Sequence, residues 1–230
     1  LNKEESMSKK SNDFIKKIKE LNLREGITAA FESVDRNIFF DSFFKDKINA
    51  FEPIPIGFGE YSDDVKLLAE MLNILDPQKN WSILEIGTGS GYGTAILSTL
   101  VKKIVTVEYH EQLAVDAKKR LINNGYFNIK FLAGDCSELD DSIGFFDAAI
   151  IYTGCTHSPY SVLNLLKPEG LAVFPMGPVT MQQITLYKNI PGDAISPFER
   201  YKFYGTCIVP FIKGKYGPSN PGIDIIIEKE

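Results

Sequence analysis

The sequence predicts an α/β domain with a mostly parallel central sheet, helices on both faces and an N-terminal helical extension. Three observations lead there. Five short apolar runs between residues 81 and 174 alternate with amphipathic stretches, the pattern of a parallel sheet covered on both faces. A glycine-rich turn joins the first of these runs to a helical pattern. The length, 230 residues, suits one domain with a substantial core.

The elements follow in chain order. Phe14, Ile15, Ile18 and Leu21 recur at spacings of three and four, which predicts helix over residues 12–35. The chain becomes aromatic at Phe39, Phe40, Phe43 and Phe44, then proline- and glycine-rich over residues 53–59. Each proline biases its predecessor away from helix, so this stretch reads as an ordered loop or extended segment. Ser62 is placed to cap the next helix, with Asp63 and Asp64 favourable in its first turn. Val65, Leu68, Ala69 and Leu72 form that helix's buried stripe. Strands are expected at residues 83–86, 104–107, 129–132, 148–151 and 171–174. Helices are expected over residues 94–101 and along Leu113, Ala117 and Leu121. Past Gly177 the helical pattern thins, and residues 184–187 and 206–211 read as strands completing the sheet.

Composition narrows the function classes. Against 25 Lys and Arg stand 30 Asp and Glu, and a net charge of −5 argues against non-specific nucleic-acid binding. The basic pairs Lys9-Lys10 and Lys16-Lys17 read as a solvated helix face. Cys136, Cys155 and Cys207 show no CxxC spacing, and His110 and His157 are the only histidines, so neither a disulfide framework nor a metal centre is indicated. No apolar stretch reaches the roughly 18 residues of a membrane span, which makes a reduced, cytoplasmic setting the expectation. The opening six residues read as tag or frayed terminus, with Met7 as a natural start.

The glycine turn carries the chemistry. A strand that enters a helix through glycines lets the backbone approach a ligand closely, with the helix-opening N–H groups facing it. Here the glycines are Gly87, Gly89 and Gly91, and Tyr92 stands where a dinucleotide fingerprint would place its third glycine. The loop therefore suits a smaller nucleoside. Glu108 ends the second strand, where an acid can accept hydrogen bonds from a ribose diol; an exposed strand-end carboxylate is the plainer reading. Glu85, inside an apolar strand, either orients the loop or meets the amino group of a methionine moiety. Asp135 is placed to meet an adenine amino group, or else to cap a turn.

The string Leu84-Glu-Ile-Gly-Thr-Gly-Ser-Gly-Tyr92 resembles the first motif of the class I methyltransferases, in the form found in protein-L-isoaspartate O-methyltransferases. The strings Val107-Glu-Tyr109, Gly134-Asp-Cys136, Phe146-Asp-Ala-Ala-Ile150 and the stretch 166–177 fall in that family's order. Val34-Asp-Arg36 and Pro53-Ile-Pro-Ile-Gly-Phe-Gly-Glu60 resemble its N-terminal segments, and Ile208-Val-Pro-Phe211 its closing strand. The resemblance spans about residues 12–213. It implies a Rossmann-like class I methyltransferase fold in a single domain: residues 1–11 disordered, 12–80 a helical and substrate-loop extension, 81–190 the cofactor-binding core, 191–230 C-terminal strands and tail. The implied reaction is methyl transfer from S-adenosylmethionine to the carboxylate of an L-isoaspartyl residue in a damaged protein, performed by a monomer without nucleic acid, membrane or metal. The implied cofactor residues are Glu85, Gly87, Thr88, Gly89, Ser90, Gly91, Glu108, Tyr109, Asp135, Cys136 and Gln183, with Ser62 as the implied catalytic residue.

Two departures lie on the acceptor side. Where the family has a glutamine followed by a Thr-Ile/Val-Ser segment and a proline, this chain has Glu60-Tyr-Ser-Asp-Asp-Val65, one residue shorter and with two acids beside its serine. Where the family has small residues after the fourth strand, this chain has Tyr152-Thr-Gly-Cys155, which adds an aromatic group to the acceptor pocket. Three alternatives follow: the same transfer to a different peptide or small-molecule acceptor, a relative that binds the cofactor without methylating, and, more distantly, a dinucleotide-dependent oxidoreductase.

Overall fold

The computed structural model describes residues 13–62, 64–178, 180–191, 198–207, 212, 213 and 216. Expectations for residues 1–12, for Asp63 and for the closing strand at 208–211 lie outside them. The N-terminal periodicity resolves into two helices, α1 (13–20) and α2 (Glu25–Ser33). The chain breaks at Asn22, whose φ of 52° is left-handed, a conformation asparagine tolerates. Apolar residues continue across the break, so spacing alone does not reveal it. Two 3₁₀ turns and the short α3 (Lys45–Ile48) lead to a hairpin, β1 (Pro55–Gly57) and β2 (Glu60–Tyr61). Helix α4 (Val65–Leu75) follows, and its cap is Asp64, whose carboxylate accepts from Lys66 N and Leu67 N. Ser62, the residue expected in that position, belongs instead to the base of the hairpin: Ile54 N donates to Ser62 Oγ at 2.9 Å and Ser62 N to Ile54 O at 2.8 Å.

Beyond it the α/β alternation is regular. Strand β3 (Ser82–Ile86) leads to α5 (Tyr92–Leu100), β4 (Lys103–Glu108) to α6 (Glu111–Asn123), and β5 (Ile129–Ala133) through two 3₁₀ turns to β6 (Phe146–Ile151). A short α7 (Tyr160–Leu163) precedes β7 (Leu166–Met176), β8 (Gln182–Asn189) and β9 (Phe198–Cys207). The sheet order is β5-β4-β3-β6-β7-β8-β9. The first five strands are parallel, and β8 and β9 add an antiparallel meander at one edge. Both faces are buried because side chains alternate along each strand. Ile83, Ile104 and Ile150 join the N-terminal helices in one core, whereas Leu84, Val105 and Ile151 join Leu163 and Phe174 in the other. Among the described residues no helix is long and apolar enough to cross a membrane.

Candidate active site

From β3 the chain passes to β4 on one side, and β6 pairs with β3 on the other. The carboxyl ends of parallel strands at such a reversal open a crevice where α/β sheets bind ligands. Here the crevice is an open cleft roofed by the β1–β2 hairpin. Its floor is the loop after β3, in which Gly87, Gly89 and Gly91 have φ of 95°, 53° and 88°. A Cβ on Gly89 would sit 3.2 Å from Ile56 Cδ1 of the hairpin, so both conformation and space call for glycine there. Gly87, Thr88, Gly89 and Ser90 line the cleft. Gly91 instead faces Leu121 and Ala117 of α6. Thr88 Oγ1 meets Thr106 Oγ1 at 2.6 Å, and Ser90 O accepts from Arg120 at 2.7 Å, which fixes the loop from both flanks.

The acids take different places. Glu108 lines the cleft and ties the loop to the end of β4: its Oε2 accepts from Gly89 N at 2.9 Å and its Oε1 from His110 N at 3.0 Å. Each carboxylate oxygen retains a second lone pair for a diol. Glu85 is fully buried behind the loop, away from the cleft wall. Thr94 Oγ1 donates to its Oε2 at 2.7 Å, and the hydroxyls of Thr106 and Tyr152 stand near it. Burial pushes its carboxyl up to about 7, against the downward pull of those hydroxyls. Asp135 accepts from Ser137 N at 2.8 Å and caps the turn after β5, while its neighbours Gly134 and Cys136 reach the cleft. The Cys136 thiol, pushed up to about 12 chiefly by burial, stays protonated. Tyr109 forms a half-exposed wall. Gln183 lies on β8 opposite Met176, off the cleft wall.

On the opposite side Ser62 lines the cleft. Asp64 is spent on its helix. The extra aromatic does not fill the pocket: Tyr152 is 4% exposed and contributes only to the cleft floor. Its ring lies over Gly93, where a Cβ would meet three of its atoms at 3.2–3.3 Å, and its hydroxyl stands near Glu85. Four side chains that spacing does not bring together meet at the edge of the cleft. Glu60 Oε1 is 3.3 Å from both His110 Nε2 and Lys213 Nζ, and Phe58, at the hairpin tip, stacks on His110 at 5.2 Å. The replacement of the family's glutamine by Glu60 was the available signal. Among the described residues no group of three His, Cys, Asp or Glu could hold a metal ion.

The family model for protein-L-isoaspartate(D-aspartate) O-methyltransferase (PCMT) matches residues 9–204. The chain belongs to this O-methyltransferase family. Among its relatives, protein-L-isoaspartate O-methyltransferase 2 of Rhodopseudomonas palustris (strain HaA2) is 32% identical over 198 residues, 86% of either chain. The protein-L-isoaspartate O-methyltransferase of Dictyoglomus turgidum is 33% identical over 207 residues, 88% of this chain and 92% of its own. A solved protein-L-isoaspartate O-methyltransferase superposes with a TM-score of 0.78 at 21% identity, covering 90% of this chain and 67% of that one. A Plasmodium falciparum structure, described as a PCMT in complex with S-adenosyl-L-homocysteine, gives 0.72 at 15% identity over 87% of this chain and 97% of that one. These likenesses establish the Rossmann-like methyltransferase fold. The glycine loop, Glu108, Ser62, Glu60 and Lys213 all line one cleft.

Proposed function

We propose that this chain methylates the carboxylate of L-isoaspartyl residues in damaged proteins, with S-adenosylmethionine as donor. The observation that carries the reading is that Ser62 and the loop 87–90 face one cleft, which neither Asp64 nor Tyr152 obstructs. The donor side fits an adenosyl amino acid: positive-φ glycines give a cradle that a Cβ would fill, and Glu108 stands at its rim. Bound there, the cofactor supplies a methyl group already activated on a sulfonium. The loop N–H groups would face its carboxylate, Glu108 its ribose hydroxyls, and Tyr109 with Cys136 would wall its base. Ser62 keeps a hydroxyl on the acceptor side, where it would orient the incoming carboxylate. That carboxylate is ionised at neutral pH, so no strong general base is needed and in-line positioning supplies the acceleration. The reading extends to a monomer acting on protein substrates in the cytoplasm.

Incubation with methyl-labelled cofactor and an isoaspartyl peptide, beside its aspartyl twin, tests this. Base-labile methyl ester is expected on the isoaspartyl peptide alone. Equal labelling of the twins, or none on either, would remove the assignment. Ser62→Ala is expected to lower turnover while leaving S-adenosylhomocysteine affinity as in the wild type; full activity would take Ser62 off the acceptor side.

A further inference from the structure

An anionic acceptor meets an electrostatic obstacle in this cleft. Two carboxylates line it, Glu60 and Glu108, and like charges at short range repel in a partly desolvated site. Glu108 is held by Gly89 N and His110 N on the donor side. Glu60 comes from the hairpin, close to Ser62, and its side chain is only 16% exposed. Among the described residues that line the cleft, Lys213 is the only lysine or arginine. It stands on the far wall, where Ile212 N bonds to Gly154 O at 3.0 Å, and its Nζ reaches across to Glu60 Oε1 at 3.3 Å. Glu60 has a second partner in His110, so it does not depend on the lysine alone.

We propose that Lys213 is the cation that receives the acceptor carboxylate, a specificity-determining residue that turns from Glu60 to the substrate while Glu60 rests on His110. The proposal rests on the isoaspartyl reading above. A lysine ammonium has three rotatable donors on a flexible stem, so it can be passed from one carboxylate to another without moving the backbone. Half of its side chain is exposed, which leaves it room to swing. Glu60, on this view, holds the lysine in the cleft and lowers the affinity of any acceptor that must compete for it.

The two partners of the ion pair are therefore expected to act in opposite directions. With cofactor saturating, Lys213→Met should raise the KM for an isoaspartyl peptide by about tenfold or more, the size of one lost charge-assisted hydrogen bond. Its kcat should change far less, and its S-adenosylhomocysteine affinity should match the wild type. Lys213→Arg should restore most of the affinity. Glu60→Gln should lower the KM, and the double variant should regain only part of the affinity lost in Lys213→Met. An unchanged KM in Lys213→Met overturns the proposal. So does a KM raised by both single variants together with a fall in melting temperature, which is what a purely structural strap would give. Should Lys213→Met fail to fold, the Glu60→Gln direction decides alone. A wild type that esterifies no isoaspartyl peptide defeats the substrate reading and this proposal together; an active wild type with an indifferent lysine defeats this proposal only.

Discussion

Glu85 is a fully buried carboxyl that accepts a hydrogen bond from Thr94, with the hydroxyls of Thr106 and Tyr152 nearby. Its folded pKa of about 7 stands above the usual 4.5, so on raising the pH the unfolded chain releases this proton first. Its stabilising contribution is complete below about 4.5, falls through the interval and is gone above about 7. Relative to Glu85→Gln, the wild type should thus lose stability across that interval, on the order of 3 kcal/mol in all. Urea melts of both proteins at several pH values measure it, and a flat difference would mean that the group is charged throughout. Tyr152→Phe removes a hydroxyl that lowers this pKa, so the same loss should extend to higher pH. The sequence shows Glu85 as an acid in an apolar strand, but not its partners. Tyr152 reads as an intruder in the acceptor pocket because the space that takes its ring is provided by Gly93, a residue remote in sequence.

At the level of elements, the hairpin and the glycine loop form one device. A Cβ at Gly89 would lie 3.2 Å from Ile56 Cδ1 of the hairpin, so a side chain there must push Ile56 aside while adopting a strained φ of 53°. Gly89→Val is expected to weaken S-adenosylhomocysteine binding about tenfold or more, the cost of overpacking combined with positive-φ strain. Calorimetry on the two proteins checks this, and wild-type affinity in the variant would show that the hairpin does not close on the loop. The elements of the proposed donor side were legible because each is local: strand, glycine turn and helix are contiguous, and Glu108 follows at the end of the next strand. The opposite wall was not, since it gathers the hairpin, Thr153 and Lys213 from three distant stretches. The hairpin itself hid behind prolines and an aromatic at positive φ, and β9 behind the polar pattern of an edge strand.

Across the molecule, the N-terminal extension supports the roof of the site, and Arg36 attaches it. The guanidinium is buried, Nη1 donates to Ile48 O at 2.5 Å and Ala50 O at 2.6 Å, and the rings of Phe14, Phe40 and Tyr92 surround it at 5.0–5.8 Å. Tyr92 opens the helix that follows the glycine loop, so one side chain joins extension, pre-hairpin segment and glycine loop. The sequence marks Arg36 only within a resembling motif; its partners come from three separate segments that periodicity does not bring together. Arg36→Met keeps much of the apolar packing but leaves two carbonyls without their donor, at about 1–3 kcal/mol for each one left unsatisfied. The expected result is a lower urea midpoint, proteolytic cleavage between residues 34 and 60 before the sheet is attacked, and a weaker S-adenosylhomocysteine complex. Because the loss reaches the ligand through the hairpin, cofactor should restore protection of residues 34–60 in the variant at a higher concentration than the wild type requires. Cleavage in this segment that is indifferent to cofactor would show that the extension and the donor site are energetically separate.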